Sequence, residues 1–528
     1  MTTAFVRRLT LLVFAIAVLV TVSQAVAAVT NVRNFGAKGD GQSDDTAAIR
    51  RAVKAGANGS VHIPSGTFKI FQIIRLPGGT RLYGNGSESK IVQATDNLGI
   101  FEILAGASHV EIDHLQLTEH GTVHGNQLGR GAVYINPGGE PNPVSDVHIH
   151  HNVFHCASTS CIAANVLIDS KIESNSFDND GTGEHGIYLS SRGDGYSRNV
   201  IIDSNTFHST YEGRVENGAI ELAIQLRATK QITITNNRIN GWTDGILTIP
   251  EDMNRSRGTH PDVVGLTVIG NTISGTSDDC FVVFGGKLKR ALVADNTFDS
   301  CGQNGIRSNV PLDDSMFDHN RITRSGEVAI RLNQVSRSLF SNNYIRDAGA
   351  APHEANAEDT ADIRLNNQNS GNVFVGNTMA AGLARVGHHE LSVGGGLGSS
   401  INPHNCFASS SFAANGGQKS AAGLLGADCS DAMQPPVARP RRLFLSSQGV
   451  QQIEIANPGR VPMRIIQVIP SSSIQTDARD CVGLRPAGSS CRIAVTLASD
   501  APSQTGQVDI VYANGGPANE TIEIPVSR

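Results

Sequence analysis

The sequence predicts an all-β protein, most of it a parallel β-helix in which short strands wind into a solenoid, with a smaller β-sandwich at the C-terminal end. The first observation behind this is a phrase that recurs nine times: Asn152-Val153-Phe154, Asn175-Ser176-Phe177, Asn205-Thr206-Phe207, Asn237-Arg238-Ile239, Asn271-Thr272-Ile273, Asn296-Thr297-Phe298, Asn320-Arg321-Ile322, Asn343-Tyr344-Ile345 and Asn377-Thr378-Met379. The intervals are 23, 30, 32, 34, 25, 24, 23 and 34 residues, a basic step near 23 with insertions in some turns. The second is a set of short runs with apolar residues two apart, such as Gly186-Ile187-Tyr188-Leu189, Ala223-Ile224-Gln225-Leu226, Ala329-Ile330-Arg331-Leu332 and Asp362-Ile363-Arg364-Leu365. No 3.6-residue period competes with them. The third is composition: 56 Gly and only 5% aromatic residues suit a chain of turns and short strands. Each coil then covers the apolar face of its neighbour. Asn tolerates turn conformations and its side chain mimics backbone groups, so the Asn column reads as a structural ladder along one corner.

In chain order, residues 1–28 read as a secretory signal: Arg7 and Arg8, an apolar run from Leu11 to Val22, then small residues at Ala25, Ala27 and Ala28. That run is too short to span a bilayer, which needs about 20 apolar residues, and no other segment is long enough. The expected location is therefore secreted or periplasmic. Eight Cys suit an oxidising compartment, and their spacing reads as local staples: Cys156 with Cys161, Cys280 with Cys301, Cys406 with Cys429, and Cys481 with Cys491. No Cys-x-x-Cys occurs, which argues against a zinc site of that kind. The formal charge of −6 argues against a nucleic-acid partner.

Ser43-Asp44-Asp45-Thr46 opens a helix in which Ser43 or Asp44 can cap the N-terminus and Ile49, Ala52 and Val53 form one apolar stripe. Such a helix plugs the first coil, which otherwise exposes an open edge. The β-helix is expected over residues 29–390. From about Leu391 the pattern fades into Gly, Ser and Ala, and Pro435-Pro436 with Pro440 mark a stiff connection over 391–441. Residues 442–528 alternate apolar and polar positions between breaks at Asn457-Pro458-Gly459, Pro486-Ala487-Gly488 and Asn514-Gly515-Gly516. With Ile453-Glu454-Ile455-Ala456-Asn457-Pro458-Gly459 and Gly488-Ser489-Ser490-Cys491-Arg492-Ile493, this stretch resembles the Ig-like modules appended to bacterial secreted proteins.

A second resemblance is carried by the N-terminal segment Asn31-Val32-Arg33-Asn34-Phe35-Gly36-Ala37-Lys38-Gly39-Asp40-Gly41, by Gly59-Ser60-Val61-His62-Ile63-Pro64-Ser65-Gly66-Thr67-Phe68, and by Leu82-Tyr83-Gly84-Asn85-Gly86. Together they resemble the start of the pectate lyase and polygalacturonase superfamily. That likeness implies a right-handed parallel β-helix over roughly residues 29 to 390 and, as partner, a long polysaccharide bound along stacked strands. It does not choose a reaction, since hydrolases, lyases, epimerase-like proteins and phage tailspikes share this opening.

Candidate site residues follow from aligning the runs on their buried anchor. With Ile187, Ile224, Ile246, Phe281, Ile306, Ile330 and Ile363 inward, the next outward positions are Tyr188, Gln225, Leu247, Val282, Arg307, Arg331 and Arg364. Two residues before the anchors stand His185, Leu222, Asp244, Asp279, Asn304, Val328 and Ala361. Coils about 4.8 Å apart make Asp244 and Asp279 neighbours, with Asp278 beside them. Such a carboxylate cluster suits glycoside hydrolysis, in which an inverting pair is held roughly 6.5 to 9.5 Å apart with water between, and crowding raises one pKa so that a proton is available.

Thr243-Asp244-Gly245-Ile246, Ser277-Asp278-Asp279-Cys280, Cys301-Gly302-Gln303-Asn304-Gly305 and Ile330-Arg331-Leu332-Asn333 also resemble, in order, the polygalacturonase motifs Asn-Thr-Asp, Asp-Asp-Cys, a Cys shortly before His-Gly, and Arg-Ile-Lys. The resemblance implies that Asp244, Asp278 and Asp279 are the carboxylates and Arg331 a subsite cation. Trp242, Asn304 and Asn333 depart from it, standing where those motifs have Asn, His and Lys.

An alternative site lies upstream: Glu184, His185 and Tyr188 on one coil, and Glu221, Gln225 and Arg227 on the next. A base, an acid and a cation that grips a carboxylate are the parts of a uronate lyase or C5-epimerase. The Arg307, Arg331 and Arg364 column in a negative protein points to an anionic ligand, with Arg227 and Asn304 as further binding candidates. A third class is a non-catalytic adhesin or glycan-binding module. No cofactor is demanded, although clustered Asp and Glu would allow calcium. His148, His150 and His151 include residues on opposite sides of a strand and show no third ligand, so they read as supports for a turn rather than as metal ligands.

Overall fold

The structure is a computed structural model that describes residues 29–96, 98–120, 131–136, 142–157, 160–179, 183–191, 195–210, 221–249, 262–349, 361–380, 389–393, 404–408, 411–412, 429–445, 449–498, 505–516 and 518–527. The expected signal segment and most of the 391–441 connection lie outside these residues.

Three parallel sheets wind around one core. The described strands number 18 in the first, 14 in the second, from Asp40–Asp44 to Ser411–Phe412, and 12 in the third, from Ile74–Leu76 to His389–Val393. In every case a strand pairs with the strand one coil later. Along the third sheet the register runs Ile187, Ile224, Ile246, Phe281, Ile306, Ile330, Ile363, each opposite the next. The alternation of side chains therefore places these residues inward. The phenyl groups of the repeated phrase stack in register, with Phe154, Phe177 and Phe207 centroids 4.9 and 4.6 Å apart. A second stack joins Phe317, Phe340, Phe374 and Phe407 at 4.8 to 4.9 Å.

The Asn column is a hydrogen-bonded ladder. Both the backbone N–H and the Nδ2 of Asn175 donate to Oδ1 of Asn205, at 3.0 and 3.1 Å, and Asn205 does the same to Asn237. The pattern runs from Asn152 to Asn377. The residue before each ladder Asn is in the left-handed region, as at His151, Ser174, Ser204, Asn236 and Gly270. The ladder thus satisfies backbone groups that the corner turns away from the sheets.

The helix at Thr46–Ala55 buries Ile49, Ala52 and Val53 against the first coil. Asp44 Oδ1 accepts the Thr46 N–H at 2.9 Å, while buried Asp45 turns back to accept the N–H groups of Lys38 and Gly39. All four disulfides are Cys156–Cys161, Cys280–Cys301, Cys406–Cys429 and Cys481–Cys491.

The β-helix continues beyond residue 390: His389–Val393, Cys406–Ala408 and Ser411–Phe412 each pair with the preceding coil. The many Gly, Ser and Ala residues of this stretch hid the period, although Phe407 still stacks on Phe374. The C-terminal unit likewise starts earlier than 442, with strand Val437–Arg439. It comprises a four-stranded sheet and a five-stranded sheet, antiparallel apart from Leu443–Phe444, which pairs parallel with Glu520–Ser527. Its edge packs on the first sheet. Leu292, Met316, Leu339 and Val373 share one apolar cluster with Val461 and Ala513, and Arg464 lies 3.1 Å from Asp295.

Candidate functional site

Asp244 opens strand Asp244–Ile249, while Asp278 and Asp279 lie in the bend before Phe281–Val283 on the next coil. The backbone ladder fixes them: the Asp278 N–H donates to Thr243 O at 2.9 Å, and the Asp279 N–H to Asp244 Oδ1 at 2.8 Å. Cys280–Cys301 staples this bend to the following coil. One oxygen of each of the three carboxyls lies within 4.8 Å of the other two.

Their environments differ. Asp244 and Asp279 are only 4% and 1% exposed, whereas Asp278 is partly exposed. Asp279 Oδ1 accepts from the backbone N–H and the Nδ2 of Asn304, at 3.0 and 2.8 Å, and its Oδ2 from Arg307 Nη1 at 3.2 Å. Burial pushes the Asp279 carboxyl up, with Arg307 and Asn304 opposing the shift. For Asp244 the Asp279 N–H and the charge of Arg307 oppose the shift only in part. Burial, then the neighbouring charges of Asp279 and Asp278, push it well above the ordinary carboxylate range. The proton therefore belongs on Asp244.

Of the three expected carboxylates only Asp278 is more than marginally open to solvent. Asp244 is the first residue of its strand and Asp279 and Asn304 lie just before theirs, where the Asp side chains tuck against amides of the following coil. Asn304 is 0% exposed, so it does not touch a ligand and acts by holding Asp279. Trp242 is also core, set edge-on to Phe207. The nearest carboxyl oxygens are closer than the roughly 6.5 to 9.5 Å of an inverting pair and nearer the 5 to 5.5 Å of a retaining pair. As a cation site the cluster offers only oxygens, which suits a hard ion such as calcium, but the guanidinium of Arg307 already occupies one carboxylate.

Arg307, Arg331 and Arg364 lie opposite one another on successive strands. Arg307 is held between Asp279 and Asn309, Arg331 lies 3.5 Å from Glu327, and Arg364 donates to Asn366 at 2.9 Å. Each stays partly exposed. The column is not continuous to Tyr188, because the outward positions Leu247 and Val282 form a buried apolar cluster with Leu222.

The upstream set also assembles. His185 Nδ1 lies 3.4 Å from Ser160 Oγ and 3.9 Å from Glu184 Oε2. Its ring is tilted against Tyr188 at 5.2 Å, and the Arg227 guanidinium lies 5.9 Å from the Tyr188 ring centre. Glu221 is buried and accepts from Ser209 Oγ at 3.2 Å, and Gln225 is buried as well. His185, Leu222 and Asp244 are consecutive in register, so the two candidate sets lie two coils, about 10 Å, apart on one face.

Residues 29–247 match the family model described as rhamnogalacturonase A/epimerase, pectate lyase-like, and residues 253–418 match that of the right handed beta helix region. The chain is 33% identical over 128 residues to the preneck appendage protein of Bacillus phage PZA, a match covering 24% of this chain and 14% of that protein. It is 32% identical over 92 residues to a glucan 1,3-beta-glucosidase of Cochliobolus carbonum, covering 15% of this chain and 12% of that protein. The chain thus spans only a small part of the length of these curated relatives. Among solved structures it is similar to the A-module of the mannuronan C-5 epimerase AlgE4 of Azotobacter vinelandii, with a TM-score of 0.46 and 18% identity over 72% of this chain and 99% of that one.

Proposed function

The chain belongs to the pectate-lyase-like superfamily of right-handed parallel β-helix proteins, and on that premise we propose that it binds and cleaves an extracellular, acidic polysaccharide by glycoside hydrolysis. The observation that carries this reading is the division of labour among three adjoining carboxyls. Asp244 keeps a proton in a buried site, Asp279 is anchored by Arg307 and Asn304, and Asp278 is partly exposed beside them. A buried carboxyl pushed up beside other carboxyls is what a proton donor requires. Asp244 is the proton donor to the leaving oxygen, Asp278 the carboxylate at the sugar, and Asp279 the positioning residue. Arg307, Arg331 and Arg364 supply the cations along which an acidic sugar chain lies.

The assembled His185, Tyr188 and Arg227 support a second reading, a uronate lyase or C5-epimerase, in which proton abstraction replaces hydrolysis. A non-catalytic glycan binder is the third. Four disulfides support an oxidising, extracellular or periplasmic location, and among the described residues no helix is long and apolar enough to cross a membrane. We read residues 437–527 as an Ig-like sandwich that braces the solenoid. Product analysis on a panel of acidic polysaccharides tests the function: new reducing ends without unsaturated chromophore support hydrolysis. Unsaturated ends indicate a lyase, changed sugar configuration an epimerase, and unaltered polymer with measurable binding a glycan-binding module.

A further inference from the structure

On the outer face of the first sheet, strand Val144–His150 lies between Ser108–Asp113 and Leu167–Glu173. His148 is opposite Glu111 on one side, and His150 is opposite Glu173 on the other. Being two residues apart, His148 and His150 point the same way, and their rings lie 4.0 Å apart. Glu111 Oε1 lies 3.0 Å from His150 Nε2, and one donor atom each of Glu111, His148 and His150 falls within 4.8 Å of the other two. The third ligand that the His148-x-His150-His151 spacing lacked is thus supplied by the preceding coil. Its distance of 39 residues from His150 removed it from any local motif.

We propose that Glu111, His148 and His150 bind a divalent transition metal of the zinc class, with Glu173 or water completing the tetrahedron. Two imidazoles and a carboxylate suit Zn²⁺ and its borderline neighbours rather than calcium, which takes oxygen ligands. Tetrahedral zinc with bonds of about 2.1 Å separates its ligand atoms by roughly 3.4 Å, so the 3.0 Å between Glu111 and His150 needs only a small spread to admit the ion. His148 Nε2 already lies 2.7 Å from Glu173 Oε1, which places a fourth donor at hand. The second shell is present as well: His150 Nδ1 is 2.8 Å from His151 Nδ1, a contact in which His150 can donate its Nδ1–H and leave Nε2 as the ligand. Arg81 lies 3.3 Å from Glu111 but makes a two-point bond to Asp113, so a metal displaces only its weaker contact. Bound there, the ion ties successive coils together on a sheet that does not carry the aspartates.

The test uses the untagged chain, stripped with a chelator and titrated with ZnCl₂ by calorimetry and thermal melting. One equivalent of Zn²⁺ is expected to bind and raise the melting temperature. Binding should weaken at least about tenfold in Glu111→Gln and vanish in His148→Ala/His150→Ala, while His114→Ala retains it. Glu111, His148 and His150 are partly exposed and His114 is exposed, so each variant should fold, which circular dichroism checks. No heat from the wild-type chain with Zn²⁺ in large excess overturns the proposal, as does undiminished binding in Glu111→Gln or in the double variant.

Discussion

Asn205 illustrates how much of the solenoid rests on single side chains. Its Oδ1 takes two hydrogen bonds from Asn175, and its Nδ2 reaches Ile172 O and Asn237 Oδ1. Asn205→Ala strands the buried Asn175 N–H, so we expect a loss on the order of 1–3 kcal/mol or more, measured by denaturant unfolding. Asp244 is a second case. A carboxyl whose folded pKa is raised keeps full stability below its ordinary value of 3.8 and loses it as pH rises toward the folded value. Asp244→Asn removes that dependence. The variant should therefore gain stability relative to wild type as pH is raised from about 4 to 7, and a constant difference across that window contradicts the buried-acid reading. The period-two pattern made the inward anchors and the Arg307, Arg331 and Arg364 column legible. The burial of Asp244, Asp279 and Asn304 was not drawn from it, although each stands two residues before an inward anchor, on the side that period two turns to the core; how deeply each is buried depends on amides from the next coil.

Elements at the ends of the solenoid were legible to different degrees. The cap helix announced itself by a carboxyl-rich start and a stripe at 3.6 spacing, and its Ile49, Ala52 and Val53 are buried as that stripe requires. Removing residues 31–56 uncovers Val61 and the first coil, so we expect light scattering to show aggregation; a soluble, fully active truncation contradicts the capping argument. At the other end the last coil was missed, since Gly, Ser and Ala conceal an intact backbone ladder. The Glu111, His148 and His150 grouping was missed for a different reason: spacing along a strand shows which side chains share a face, but not which coil lies alongside.

At the scale of the whole molecule the C-terminal unit is more than an appendage. Leu292, Met316, Leu339 and Val373 point outward from the first sheet and are covered by Val461, Ala513 and their neighbours. Deleting residues 437–528 exposes that cluster, so the remaining solenoid should melt at lower temperature. The candidate site lies on the third sheet, so turnover per folded molecule on soluble substrate should stay nearly unchanged. Loss of turnover with unaltered melting would instead place the site near the junction. The central claim is that the aspartates and not His185 with Tyr188 perform the chemistry, and single-variant kinetics on the polysaccharide that the wild type cleaves test it most directly. Asp278→Asn and Asp244→Asn should each lower kcat by about 10²-fold or more with substrate binding retained, whereas His185→Ala and Tyr188→Phe should act mainly on KM. Turnover destroyed at His185 or Tyr188 and preserved in both aspartate variants would contradict the account.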